Sequence, residues 1–141
     1  MSPQSNVLQG ALVILAGEDL SSLEDYLVVI THDSGTPEVL LPTSDDDQAL
    51  YLIKSGDTDT NNVDLLPLEP GRNFRVKFKG TGSPGDMVVL ADPSVSADKG
   101  KLRKLPTAAG TYRVHGWLEE TAVDGQLALI RWSPQGNTTV N

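Results

Sequence analysis

Cysteine is absent from the 141 residues, which excludes disulfides, thiolate nucleophiles and thiolate metal sites. Its absence fits assembly in a reducing cytosol. Positive charge is scarce: 11 Lys and Arg face 19 Asp and Glu, for a formal charge of -8. Such a surface repels phosphate backbones and anionic bilayers, so direct nucleic-acid or membrane binding is not expected. Long apolar runs are missing as well. The first one, 11–16, is too short for a signal-peptide core or a membrane span, and the residues before it carry no Lys or Arg. Aromatics are few, with two Trp, three Tyr and two Phe, and no row of them suggests stacking on sugars or bases. Helix signals are nearly absent. Only 17–27, with Glu18, Asp19, Ser21 and Ser22, suits a short helical turn, and an ordered loop fits it equally well.

What is present is Val, Ile and Leu in short runs, broken at close intervals by Gly, Pro, Asp, Asn or Ser. This punctuation marks strands joined by turns. Strands are expected at 11–16, 26–31, 39–41, 50–54, 64–68, 73–79, 86–91, 102–104, 111–118 and 127–132. The clearest alternation sets Phe74, Val76 and Phe78 on one face and Arg75, Lys77 and Lys79 on the other. Hydrophobic content of 38% and charged content of 21% belong to a folding chain, and the length to one domain. The fold class is therefore mainly β: a single compact barrel or sandwich over 11–141, preceded by a polar arm over 1–10.

The chain also resembles itself. Leu27-Val28-Val29-Ile30 is answered by Met87-Val88-Val89-Leu90, and Leu41-Pro42-Thr43 by Leu105-Pro106-Thr107. After each Leu-Pro-Thr comes a strand with Tyr51 or Tyr112, then an acidic turn, then an apolar strand closed by Pro70 or Pro134. Two pseudo-repeated units, about 11–70 and 80–134, are expected, with Val28 matching Val88, Pro42 matching Pro106 and Tyr51 matching Tyr112. Each unit alone would leave an apolar face and a strand edge uncovered, so the two are expected to complete one another.

Motifs that carry chemistry elsewhere fail here on context. Gly80-Thr81-Gly82-Ser83-Pro84-Gly85 has dinucleotide-loop spacing, yet a strand pattern follows it rather than a helix, so it reads as a hairpin loop. Asp57-Thr58-Asp59-Thr60-Asn61 has the alternating oxygens of a calcium loop, but Asn62 replaces the required Gly and Leu68 the bidentate Glu. A tight turn is the expectation there, and a solvated loop at Asp45-Asp46-Asp47. His32 and His115 lie in unlike settings without a nucleophile elbow and are expected at the surface or at strand ends. Glu119 and Glu120, adjacent on a strand, face opposite ways and make a poor acid–base pair. No catalytic residue, cofactor or metal ligand is assigned, and the chain is not expected to be an enzyme. Trp117 and Trp132, on the last two strands, are expected in the core or, alternatively, as interface aromatics.

In order along the chain, the apolar strand leading to Gly17-Glu18-Asp19, the Val-Val-Ile and Val-Val-Leu strands, Gly85-Asp86-Met87 and Tyr112-Arg113-Val114-His115-Gly116-Trp117-Leu118-Glu119-Glu120 with Asp124-Gly125-Gln126-Leu127 resemble the capsid decoration, or cement, proteins of tailed bacteriophages. The resemblance spans about 11–132 as a style of short strands and turns. It implies a homotrimer on the capsid exterior, assembled in the host cytoplasm, that binds the major capsid protein and stabilises the mature head against DNA pressure. The arm Ser2, Pro3, Gln4, Ser5, Asn6, Val7, Leu8 and Gln9 is then the expected capsid-binding segment, because a disordered segment can cover neighbouring subunits. Two other readings compete: a glycan- or host-binding module with an exposed aromatic patch at Trp117 or Trp132, and a small trimeric β-fold hydrolase with an inter-subunit cleft.

Overall fold

The computed structural model describes residues 12–141, in ten strands: β1 Leu12–Ala16, β2 Leu27–Asp33, β3 Thr36–Leu40, β4 Tyr51–Ser55, β5 Asn62–Pro67, β6 Asn73–Lys77, β7 Met87–Leu90, β8 Leu102–Lys104, β9 Gly110–Leu118 and β10 Leu127–Val140. A single 3-10 turn, Ser96–Asp98, breaks the β pattern. The stretch 17–26 is a loop, as its length allows. Strands β1 to β5 form a closed barrel in the order β1-β3-β2-β4-β5, and β6 to β10 a second sheet in the order β6-β10-β9-β7-β8.

The second sheet repeats the pairing of the first. In each unit the first strand pairs with the fifth, the fifth with the fourth, the fourth with the second and the second with the third, all antiparallel. The parallel β1–β3 seam, Ala16 beside Val39, has its counterpart in one parallel bridge, Phe78 beside Leu102. Turn hydrogen bonds recur at matching places. Ala16 N donates to Asn61 O and Phe78 N to Gln126 O; Thr60 N donates to Ala16 O and Gly125 N to Phe78 O; Gly17 N donates to Val39 O and Lys79 N to Leu102 O. These bonds fix the equivalences residue by residue. Val28 does correspond to Val88, since Ile30 pairs with the seam residue Val39 and Leu90 with its counterpart Leu102; Tyr51 then stands opposite Val28 and Gly116 opposite Val88. The same register matches Tyr51 with Gly116 instead of Tyr112, and sets Pro42 against Leu105 instead of Pro106.

The barrel interior is filled by Ala16, Leu20, Val28, Val39, Ile53, Val63 and Leu65. A larger cluster belongs to both units: Leu27, Ala49, Leu52 and Leu68, from the first, pack with Val76, Phe78, Val88, Leu90, Leu102, Ile130 and Trp132. One bridge leaves the second unit's β6–β8 seam loosely closed, and the first unit's apolar residues help to complete that core. Backbone bonds weld the junction, Leu27 N to Gly100 O at 2.7 Å and Lys77 N to Asp25 O at 3.0 Å. Gly100 has φ +83, and a Cβ there would lie 2.8 Å from Leu27 O, so this junction requires glycine.

Strand β10 does not stop at Pro134. It continues to Val140 across a bulge in which Ser133, Pro134 and Gln135 oppose the single residue His115 of β9. Proline, lacking an N–H, fits where the ladder is already interrupted. His115 is also the extra residue of β9 against β7, where Val88 pairs with Gly116 and Val89 with Val114. Beyond the bulge the β9–β10 ribbon covers a small cluster of Val89, Tyr112 and Val114 with Met87, Leu105 and Val140.

Candidate interaction surface

The polar groups that resemble chemical machinery in the sequence are committed to holding turns. Asp57 accepts hydrogen bonds from Thr58 N at 2.7 Å and from the Asn61 amide at 3.3 Å, so the 57–61 loop is an Asx-type turn between β4 and β5. Those bonds hold its carboxyl below the usual carboxylate range. Asp47 accepts from Thr43 N and Ser44 N, Asp46 from Ser44 Oγ, and Asp45 pairs with Arg103 at 3.2 Å. Gly80 N donates to Asp124 and Ser83 N to Asp86, and both carboxyls are lowered by these bonds. The 80–85 segment is a loop entering a strand, but not a hairpin: β6 and β7 are separated by β10 and β9. No group of three or more His, Asp or Glu is placed to hold a metal among the described residues.

The histidines part company. His32 lies exposed at the end of β2, accepting from Gly35 N in the β2–β3 turn. His115 is buried, contrary to the surface position expected for it. The bulge turns it inward, where its ring packs on Trp132 at 5.3 Å between centroids. Its Nδ1 donates to Arg113 O at 3.0 Å, while Nε2 has no partner among the described residues. Burial first, and the Arg113 charge after it, push its pKa down to about 4 despite the opposing backbone hydrogen bond. Glu119 pairs with Arg131, and Glu120 accepts from Arg75 at 2.7 Å and from Leu129 N at 3.0 Å. Both carboxylates therefore brace the β6–β10–β9 sheet. A shallow groove of about 370 Å³ beside β2 and β3 has one titratable side chain, Asp47, which is already engaged.

What remains chemically open is the outer surface. Trp132 is core, and Trp117 is not: it lies half-buried on the opposite side of β9, across from Arg131 on β10 and Met87 on β7. Glu119 holds Arg131 through both Nε and Nη2, at 3.1 and 2.9 Å. An aromatic and a fixed guanidinium side by side make a surface suited to protein contact. The expected arm, Ser2 to Gln9, lies outside the described residues.

No protein-family model matches the chain, and no curated protein matches it. Among solved structures it is similar to the N base of the head fiber gp8.5 of bacteriophage phi29, with a TM-score of 0.61 over 87% of this chain and 92% of that one. It shares the fold of that head-fiber base. The likeness runs through both units, and at 16% identity it is carried by the arrangement of strands rather than by matching side chains. The mainly β fold expected from the sequence therefore has a solved counterpart in a head-fiber base, whereas the resemblance had pointed to cement proteins.

Proposed function

We propose that the chain is a non-enzymatic structural protein of a phage virion, which attaches to the outside of the mature capsid as a homotrimer and stabilises the head against packaged DNA. The observation that carries this reading is the fold shared, over nearly the whole length of both chains, with the base of a phage head fiber. The engaged state of the turn aspartates Asp47, Asp57, Asp86 and Asp124, and of Glu119 and Glu120, supports a role in contact rather than in catalysis. A protein that binds only the expanded shell stabilises that form by mass action. The polar residues 2–9 are proposed to lie along the shell, with the half-buried Trp117 beside Arg131 as a further contact. Assembly takes place in the host cytoplasm.

The test is cryo-microscopy of purified heads with and without the protein, together with head survival on heating. Density at capsomer junctions and a raised disruption temperature are the expected results. Heads that bind none of the full chain at saturating concentration sink the proposal, and unchanged occupancy after deletion of residues 2–9 removes the arm from it. Binding in a glycan screen that Trp117→Ala abolishes, with no head binding, would favour the host-attachment reading instead.

A further inference from the structure

Charge is divided unevenly between the two units. Thirteen of the 19 acidic residues precede Arg72, with Lys54 as the one base among them, whereas ten of the 11 bases lie from Arg72 onward. The first unit therefore carries a formal -12 and the second +4, which together give the chain its -8. Much of the second unit's positive charge is balanced internally, by the pairs of Arg75 with Glu120, Lys79 and Lys101 with Asp98, Lys104 with Asp86, and Arg131 with Glu119. In the first unit, among the described residues, only Asp45 and Glu69 meet a cation, and both cations, Arg103 and Arg72, come from the second.

Two surface patches combine this separation with exposed apolar residues. On the barrel, Val13 is 61% exposed on the outward side of β1, directly across from Asp64 of β5, while Leu15 stands across from Glu38 of β3. Neither Asp64 nor Glu38 has an ion-pair partner among the described residues. On the corresponding strands of the second unit, Leu127 of β10 is 38% exposed directly across from Lys77 of β6, which likewise lacks an ion-pair partner there. Val123, in the turn just before β10, extends that patch. Each patch sets an aliphatic side chain beside an uncompensated charge, and the two charges have opposite sign.

We infer that the patch of Val13, Leu15, Glu38 and Asp64 on one copy docks against Lys77, Val123 and Leu127 of a second copy, head to tail. The occupant is a second copy because the chain itself carries both complementary surfaces. Such a contact is heterologous: every copy added leaves one patch of each sign free, so the assembly either closes into a ring or propagates. The apolar residues supply burial, and the charges supply orientation and sensitivity to salt. This inference rests on the self-association part of the proposed function and supplies its contact.

Sedimentation velocity of the full chain tests it at about 0.1 M and about 1 M salt, between which the screening length falls from about 10 Å to about 3 Å. Association is expected at the lower salt and weakens at the higher. Asp64→Lys and Lys77→Glu, both at accessible positions, each weaken association by about tenfold or more, since each places like charges together. The double variant Asp64→Lys/Lys77→Glu restores it, because every contact, in a ring of any size, then joins opposite charges again. Association that ignores both single substitutions, or a double variant that stays as dissociated as the single ones, overturns the assigned contact while leaving self-association standing. A wild type that is monomeric at both salts and still binds heads overturns the contact and leaves the capsid reading intact.

Discussion

Protonation of His115 tests the structure where it is most exposed to refutation, because it joins the bulge, the core and a measurable quantity. The neutral ring carries its proton on Nδ1, which donates to Arg113 O, and leaves Nε2 facing the interior without a partner among the described residues. Adding a proton there buries a charge and an N–H with no acceptor. The pKa accordingly falls from 6.5 to about 4. In that interval the unfolded chain binds one more proton than the folded one, so stability rises with pH. It is fully present above about 6.5 and is lost as the pH falls toward 4, at about 1.4 kcal/mol per unit and about 3 kcal/mol in all. The lowered carboxyls of Asp19, Asp57, Asp86, Asp92 and Asp124 act in the same direction but mainly below the ordinary aspartate value of 3.8, so the two windows are separable. Urea unfolding followed by tryptophan fluorescence at a series of pH values gives the curve directly. In His115→Asn, which keeps a donor for Arg113 O and cannot titrate, the slope between 6.5 and 4 flattens even if absolute stability drops. Parallel curves for the two proteins across that window would refute the buried, unpartnered placement of Nε2.

Three further substitutions probe the core and the repeat. Trp132→Ala costs about 3–5 kcal/mol in denaturant unfolding, as expected for a large side chain removed from a filled interior, whereas Trp117→Ala on the outer side costs about 1 kcal/mol or less. Equal losses would mean that the two sides of β9 and β10 are assigned wrongly. Thr60, with φ +68, holds the position that Gly125 holds in the second unit with φ +76. Thr60→Gly is therefore expected to raise stability by about 1 kcal/mol through relief of a left-handed β-branched residue, and a loss of that size would show that the equivalence does not extend to the turns.

All ten expected strands occur, because the signals for them are local: short runs of Val, Ile and Leu with Gly, Asp or Pro between. The alternation of Phe74, Val76 and Phe78 against Arg75 and Lys77 was legible for the same reason, since a period of two needs no knowledge of partners. The failures are of another kind. Simple alternation along β9 buries Tyr112, Val114, Gly116 and Leu118 and turns His115 outward. A bulge, which depends on strands β7 and β10, adds a residue and turns His115 in. The same bulge lengthens the fourth strand of the second unit ahead of the matched segment, which is why similarity of residue type joined Tyr51 to Tyr112 while pairing joins Tyr51 to Gly116. At Gly116 no Cβ fits, because it would overlap the carbonyl of Arg131 on the neighbouring strand. Pro134 looked like a stop because proline ends most ladders, and it does not end this one because the bulge already omits the hydrogen bond it cannot make.

The repeat also shows where function is to be sought. Equivalent inward positions keep their apolar character: Ile14 corresponds to Val76, Val63 to Ala128 and Leu65 to Ile130. Equivalent outward positions differ, an aliphatic residue in one unit answering a charged one in the other: Val13 corresponds to Arg75, Leu15 to Lys77 and Asp64 to Leu129. A closed, close-packed interior leaves little freedom in volume or polarity, so both units must fill theirs with aliphatic side chains whatever they bind. The outward positions are under no such demand, and solubility alone would be served by the same mixture of charges on both units. A first unit with thirteen acids and a single base beside a second unit rich in bases goes beyond that need. The difference is explained if the two outer faces meet different surfaces, which is the arrangement a head-to-tail contact requires and a molecule with two interchangeable ends cannot provide.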